Sequence, residues 1–315
     1  MRLFVFGLGY SARAVVERMR PRLDAVWGTT RDPGKLDAIS RLGVMPLLFD
    51  SGATATARLG GEDPSSRTMQ SVSDALAQAD HILVSIAPDE AGDPVLIHFR
   101  DELAAVKPKS VVYLSTVGVY GDHDGAWVDE TSPCRPVSKR SRQRVAAEAE
   151  WRRFGAKAGV PVAIIRLSGI YGPGRGPFEK IRRGTARRVV KPGQVFNRIH
   201  VDDIAVIVEA AFLSRADGVF NGTDNEPAPP QEVLAYAAEL LGMPPPPEVA
   251  FESAELSPMA RTFYGENKRV RNDRIKEALG VRLAHPTYRH GLAATLRVEA
   301  EKADDLLHRQ AAGLD

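Results

Sequence analysis

Near its start the chain reads Gly7-Leu8-Gly9-Tyr10-Ser11-Ala12, a G-x-G-x-x-A spacing suited to holding a diphosphate. Gly7 permits a tight turn, Gly9 leaves room for a pyrophosphate against the backbone, and Ala12 lets a helix pack closely on a strand. Leu3 to Phe6 before the motif is a short apolar run of β-formers. After it, Ala14, Val15, Val16 and Met19 recur at helical spacing. The glycines therefore sit where a strand ends and a helix begins, the context that gives the motif meaning. Tyr10 and Ser11 open that helix, whose free N–H groups and positive dipole end would face the phosphates.

A second strand, Ala25–Gly28, ends in Thr29-Thr30-Arg31. At this tip an acidic residue accepts from a ribose 2′-hydroxyl, whereas an arginine suits a 2′-phosphate. No carboxylate stands at the tip before Asp32, so Arg31 with Thr29 and Thr30 favours NADP over NAD. A further apolar strand, Ser110–Leu114, runs into Ser115 and Thr116. Ligands of open α/β sheets sit beyond the carboxyl ends of strands, so these hydroxyls, and Ala87 at the end of the strand His81–Ile86, point to a cofactor crevice.

The elements that must position these residues alternate along the chain. A helix over Asp32–Leu42 follows the second strand, with Pro33 near its start where proline is tolerated. A third strand spans Val44–Phe49, closed by Asp50, and residues 51–70, rich in Gly, Ser, Thr and Ala, read as loop. Helices over Val72–Ala79, Pro94–Val106 and Ser138–Phe154 flank the next strands. This alternation predicts an α/β fold with a Rossmann-type, doubly wound parallel sheet.

The chain has 315 residues, 43% apolar and 26% charged, with net charge +2. That is a soluble globular composition, with no expectation of nucleic-acid binding. Cys134 is the single cysteine, which excludes a disulfide framework and cysteine-based metal sites. No stretch approaches a membrane span and the N-terminus reads as a core strand, so the expected location is cytoplasmic. His200 with Asp202 and Asp203 fits a strand-to-helix junction better than a metal site, and no metal is expected.

Four further segments then take on meaning together. Leu114-Ser-Thr-Val-Gly-Val-Tyr-Gly-Asp122, Arg166-Leu-Ser-Gly-Ile-Tyr-Gly-Pro-Gly174, Arg198-Ile-His-Val-Asp-Asp203 and Asn267-Lys-Arg-Val-Arg-Asn272 follow the glycine motif in order. The chain so resembles the extended short-chain dehydrogenase/reductase superfamily, the NAD(P)-dependent epimerase/dehydratase group. The resemblance implies that Thr116 is the catalytic hydroxyl, that Asp50 contacts the adenine, and that Ser168 and Gly169 lie beside the nicotinamide. It also implies a catalytic Tyr and, four residues later, a Lys on the helix after the fifth strand. Anchored on Glu148, that pattern puts Arg144 at the Lys position and Arg140 at the Tyr position, and no tyrosine occurs between Tyr120 and Tyr171. Arg144 can donate to a ribose, whereas Arg140 keeps its proton at any working pH. Tyr120 is then the substitute proton donor by position. Tyr264 and Lys268 repeat the Y-x-x-x-K spacing in the C-terminal third, where it reads as coincidence.

Past Gly174 the alternation lapses. Lys180–Lys191 carries Arg182, Arg183, Arg187, Arg188 and Lys191, a solvated face or a source of cations for a phosphate or carboxylate. Arg140, Tyr171, Arg198 and Lys268 are the expected substrate contacts. Residues 1–171 and 200–223 are expected to form the NAD(P)-binding domain, 172–199 and 224–290 a smaller substrate lobe, and 291–315 a C-terminal helix that packs on the lobe or on a second subunit of a homodimer. The expected function is an atypical NADP-dependent oxidoreductase or epimerase-like enzyme acting on a small, anionic, sugar-nucleotide-like molecule. The rival is a dinucleotide sensor that has lost catalysis.

Overall fold

The structure, a computed structural model, describes residues 1–50 and 64–311. Its elements begin β1 (Arg2–Phe6), α1 (Tyr10–Met19), β2 (Ala25–Thr30), α2 (Leu36–Ser40), β3 (Met45–Leu48), α3 (Pro64–Leu76) and β4 (His81–Val84). Then come α4 (Pro94–Val106), β5 (Ser110–Thr116), β6 (Trp127–Val128), α5 (Lys139–Ala158), β7 (Val162–Leu167) and β8 (Gly169–Tyr171). The chain continues through α6 (Phe178–Arg182), β9 (Arg188–Val190), β10 (Arg198–His200), α7 (Val201–Ser214), β11 (Gly218–Gly222) and α8 (Pro230–Leu240). It ends with β12 (Glu248–Ala250), α9 (Pro258–Tyr264), β13 (Arg269–Val270), α10 (Asp273–Leu279) and α11 (Tyr288–Ala311).

Seven strands form one sheet in the order β11-β7-β5-β4-β1-β2-β3, and every pair is parallel. All seven carboxyl ends therefore lie along one edge, and the strand order reverses beside β1, which opens a ligand crevice there. Alternate residues of β1 serve opposite faces, as the two-residue period of a strand requires. Leu3 and Val5 join a core built with α1, α7 and α10. Phe4 and Phe6 join the core against α3, α4 and α5.

Two expectations change. The helix foreseen over Asp32–Leu42 is a 3-10 turn, Pro33–Lys35, followed by the short α2. Asp32 takes the Gly34 N–H on its carboxylate at 2.9 Å, a local turn that competes with helix. Residues 64–70, read as loop, form the first half of α3, begun by Pro64, which suits a first turn; positions 51–63 lie outside the described residues.

Beyond the sheet, three two-stranded parallel pairs, β8–β10, β9–β12 and β6–β13, extend from the carboxyl edge. Tyr171, Phe178, Ile181, Val233, Tyr288 and Leu292 make a separate small core there, with Leu296 of α11 packed against it. The side chains of Leu306 and Leu307 lie outside the described ones. Among the described residues no helix is long and apolar enough to cross a membrane.

Candidate functional site

Gly7 has φ +82, and a Cβ there would meet Ile86 Cγ2 at 2.5 Å, so only glycine fits this turn. Its N–H donates to Thr29 Oγ1 at 2.8 Å, which pins the tip of β2 to the glycine turn. Thr29 is itself buried, so its hydroxyl is not offered to a ligand. Gly9 caps α1 without any side-chain acceptor, and a Cβ built on it meets nothing within 4 Å. Donors at the start of α1 thus face an open cradle at the carboxyl edge, and a pyrophosphate fits it. Ser11 and Ala12 are buried on the sheet side, while the Tyr10 hydroxyl crosses to the Pro173 carbonyl at 3.0 Å.

At the end of β2, Arg31 is exposed and has no ion-pair partner among the described residues. Thr30 Oγ1 accepts from the Asp32 N–H at 3.1 Å, and the Asp32 carboxylate is turned to Gly34 and Lys35. The acid next to Arg31 therefore serves its own loop. Asp50 follows β3 and Ala87 follows β4, both exposed at the same sheet edge.

Thr116 ends β5, and its Oγ1 accepts the Gly118 N–H at 3.1 Å. With that lone pair engaged, the hydroxyl proton is free to donate elsewhere. Arg144 comes in from α5 and donates to Tyr113 Oη at 2.8 Å and the Leu114 carbonyl at 2.9 Å, with the Ile86 carbonyl at 3.4 Å. The half-buried guanidinium so bridges the ends of β4 and β5. One edge thus gathers Gly7, Gly9, Tyr10, Arg31, Asp50, Ala87, Thr116, Arg144 and Gly169. Arg140 lies one turn before Arg144, exposed and without a partner among the described residues.

Other expected contacts are drawn into the fold. Tyr120 is fully buried, its hydroxyl donating to Asn221 Oδ1 at 2.8 Å and its ring lying 4.8 Å from the Arg166 guanidinium. Burial lifts its pKa to about 12 and the hydroxyl is spent on Asn221, so Tyr120 presents no exposed proton as the substitute acid. Ser115 turns away from the crevice and donates to Glu148 Oε1 at 2.5 Å. Ser168 donates to the Gly222 carbonyl at 3.2 Å, tying β7 to β11, while Gly169 stays exposed.

The substrate-side residues change most. Tyr171 is buried in the small core, with its ring edge-on to His200 and pressed on Gly291. Arg198 Nη1 donates to the carbonyls of Phe196 and Ala228, and its charge faces the buried carboxyl of Asp224. Lys268 is buried between the Gly121 carbonyl at 2.8 Å and Glu266 at 2.6 Å. These three are packed into the lobe, with the Lys268 ammonium and Arg198 Nη1 spent on protein acceptors. The basic run behaves alike: Arg182, Arg183 and Arg188 pair with Glu299, Glu179 and Glu248, and Arg187 and Lys191 donate to backbone carbonyls. Tyr264 ends α9 and Gly265 stops it, so Tyr264 and Lys268 do not share a helical turn.

His200, Asp202 and His285 offer ligand atoms within 4.8 Å of one another. Both ring nitrogens of His200 are occupied, however. Nδ1 accepts the Asp202 N–H at 3.2 Å as the cap of α7, and Nε2 meets Thr295 Oγ1 at 3.2 Å. Asp203 accepts from the N–H groups of Ala284 and His285, holding His285 beside this cap. The trio is a junction between α7 and the segment entering α11.

Two residues at the site escaped the sequence reading. Tyr113, inside an apolar strand, turns out to hold Arg144. Arg175 stands 5.7 Å over the Tyr10 ring; a cation directly after a Gly-Pro-Gly turn at a strand end was the available signal.

Comparison with known proteins agrees with this geometry. A solved structure of a functionally unknown conserved protein from Silicibacter pomeroyi is similar, with 49% identity over 94% of this chain and 98% of that one, at a TM-score of 0.81. The UDP-N-acetylglucosamine 4-epimerase of Bacillus cereus shares the fold at 15% identity, covering 95% of this chain and 99% of that one, with TM-score 0.74. A 3-diazoavenalumate denitrifying reductase from Streptomyces sp is 34% identical over 161 residues, 47% of this chain and 51% of that enzyme, so the match spans about half its length. Residues 96–221 match the NAD dependent epimerase/dehydratase family model, and a parallel sheet of this order with a glycine turn at its first strand agrees with that match.

Proposed function

We propose that the chain is an oxidoreductase that binds NADP at the glycine turn and reduces or oxidises a small organic molecule beside Thr116. The cradle at Gly9, open in front of the first turn of α1, carries this reading. Arg31, exposed and unpaired among the described residues, is the group that would select a 2′-phosphate. Arg144, fixed on Tyr113 and Leu114, would hold the nicotinamide ribose. The dinucleotide supplies or accepts a hydride when bound. The chain's own part is to align the reacting carbon and to hold its oxygen with the Thr116 hydroxyl, whose proton is replaced from solvent. Arg140 is the one expected substrate cation that stays exposed, and it would favour an anionic substrate. Similarity to a reductase over 161 residues favours reduction as the direction.

A second reading has its own observation. Arg140 stands where the family's acid is expected and Tyr120 is sealed in the core, so neither position offers a phenol to the crevice. General acid help is worth about 10²–10⁴-fold, so turnover without it is slow, and a sensor would need none. Stereospecifically deuterated NADPH with a panel of carbonyl compounds separates the two. An enzyme transfers deuterium and loses the rate, but not the NADPH affinity, on Thr116→Val; no transfer to any carbonyl leaves the sensor.

A further inference from the structure

The turn Gly172-Pro173-Gly174-Arg175 leaves β8 and arches back over the start of α1. Backbone hydrogen bonds between Gly172 and Arg175, at 2.9 and 3.3 Å, close it. Tyr10 Oη holds the Pro173 carbonyl at 3.0 Å, and Glu299 of α11 takes the Gly174 N–H at 3.1 Å. Gly172 adopts φ +150, and a Cβ there would strike Tyr10 Oη at 2.7 Å and Val201 Cγ1 at 2.8 Å. The turn is thus pressed on the first residue of α1 and cannot stand off from it.

This seating brings the Arg175 guanidinium carbon 5.7 Å from the Tyr10 ring centroid. Arg175 is exposed and pairs with no carboxylate among the described residues. The nearby acids are engaged elsewhere: Glu299 with Gly174 N–H and Arg182, Asp202 with His285. A free, planar, five-donor cation is therefore held beside donors that already face an anion cradle, the geometry that binds phosphate oxygens in pairs.

We propose that Arg175 is a pyrophosphate-binding residue of the dinucleotide site, carried to it by a turn that Tyr10 and Glu299 lock in place. This rests on the dinucleotide reading above. It makes the site two-sided, with backbone donors of α1 on one flank of the diphosphate and a side-chain cation from beyond β8 on the other. Tyr10 then acts twice, through its backbone in the glycine turn and through its hydroxyl as the anchor of the arginine.

Calorimetric titration of wild type, Arg175→Ala and Arg175→Lys with NADPH, ADP-ribose and 2′-AMP tests it. Arg175→Ala is expected to weaken NADPH and ADP-ribose, which carry the pyrophosphate, by about 10- to 100-fold, with lysine between the two. Affinity for 2′-AMP, which lacks the pyrophosphate, stays as in wild type. Because Arg175 is exposed, the thermal midpoint is expected not to move. Wild-type affinity of Arg175→Ala for NADPH and ADP-ribose overturns the assignment alone. Absence of NADPH binding by the wild-type chain overturns the dinucleotide reading, and this assignment with it.

Discussion

Arg166 on β7 grips the carboxylate of Glu148 on α5, Nη2 donating to Oε2 at 2.7 Å and Nε reaching both oxygens at 3.1 and 3.2 Å. Both side chains are buried, and Ser115, one residue before Thr116, donates to the same carboxylate. The pair therefore fixes the end of β5 from behind. Removing one partner of a buried ion pair leaves the other charge stranded, at a cost of about 3–5 kcal/mol. Glu148→Ala is expected to lose that much in urea unfolding, whereas Glu148→Leu with Arg166→Met recovers most of it. A single variant as stable as wild type contradicts this role.

Arg31 gives a sharper test of cofactor choice. The exposed guanidinium makes no hydrogen bond or ion pair among the described residues, so Arg31→Ala is expected to leave the fold intact. Loss of a charge-assisted contact to a 2′-phosphate is expected to weaken NADPH about 10- to 100-fold and to leave NADH nearly unchanged. Titration with both coenzymes reads the ratio directly. Equal loss for both would show that Arg31 does not sense the 2′ position.

The pH dependence of stability follows from buried histidines. Burial lowers the His200 pKa to about 4, against about 6.5 for the free group, and His81 behaves alike. Between those values the unfolded chain binds more protons than the folded one, so stability rises with pH across that window and is lost as pH falls through it. At pH 5 His200 alone accounts for up to about 2 kcal/mol. His200→Asn keeps an acceptor for the Asp202 N–H while removing the titration. Its stability is expected to fall less than that of wild type between pH 7 and 5, measured by urea unfolding at each pH. Asp224 acts in the opposite sense. Burial raises its pKa to about 8, so the folded chain holds the extra proton and stability falls as pH rises from about 4 to 8.

How much of this was written in the sequence depends on range. The glycine turn, β1 and the helix after β5 were legible because strand, turn and helix are adjacent and their apolar periods are local. Thr116 and Arg144 were legible through their place at a strand end and on a helix face. The packing of Lys268, Arg198 and Tyr171 was not legible because one partner of each lies far along the chain: Gly121 for Lys268, Ala228 for Arg198, Gly291 for Tyr171. A cation in a sequence looks available until the carbonyl or carboxylate that takes it is placed beside it. Tyr120 failed for a related reason, since only the return of β11 as the sheet's last strand brings Asn221 to its hydroxyl.

The two motif glycines differ in a way that isolates binding from folding. Gly7, at φ +82 and against Ile86, tolerates no side chain, so any substitution there disturbs the turn itself. Gly9 has φ −89 and ψ −164, extended backbone open to every residue, and free space where a side chain would go. Gly9→Val is therefore expected to fold with an unchanged thermal midpoint. Its isopropyl group would fill the cradle that a diphosphate needs, and NADPH affinity is expected to drop about 100-fold or more. Differential scanning fluorimetry and calorimetric titration of the same preparation give both quantities. A valine variant that binds NADPH as wild type does would place the coenzyme elsewhere. One that unfolds early would mean that the extended backbone at Gly9 is held by more than its own conformation.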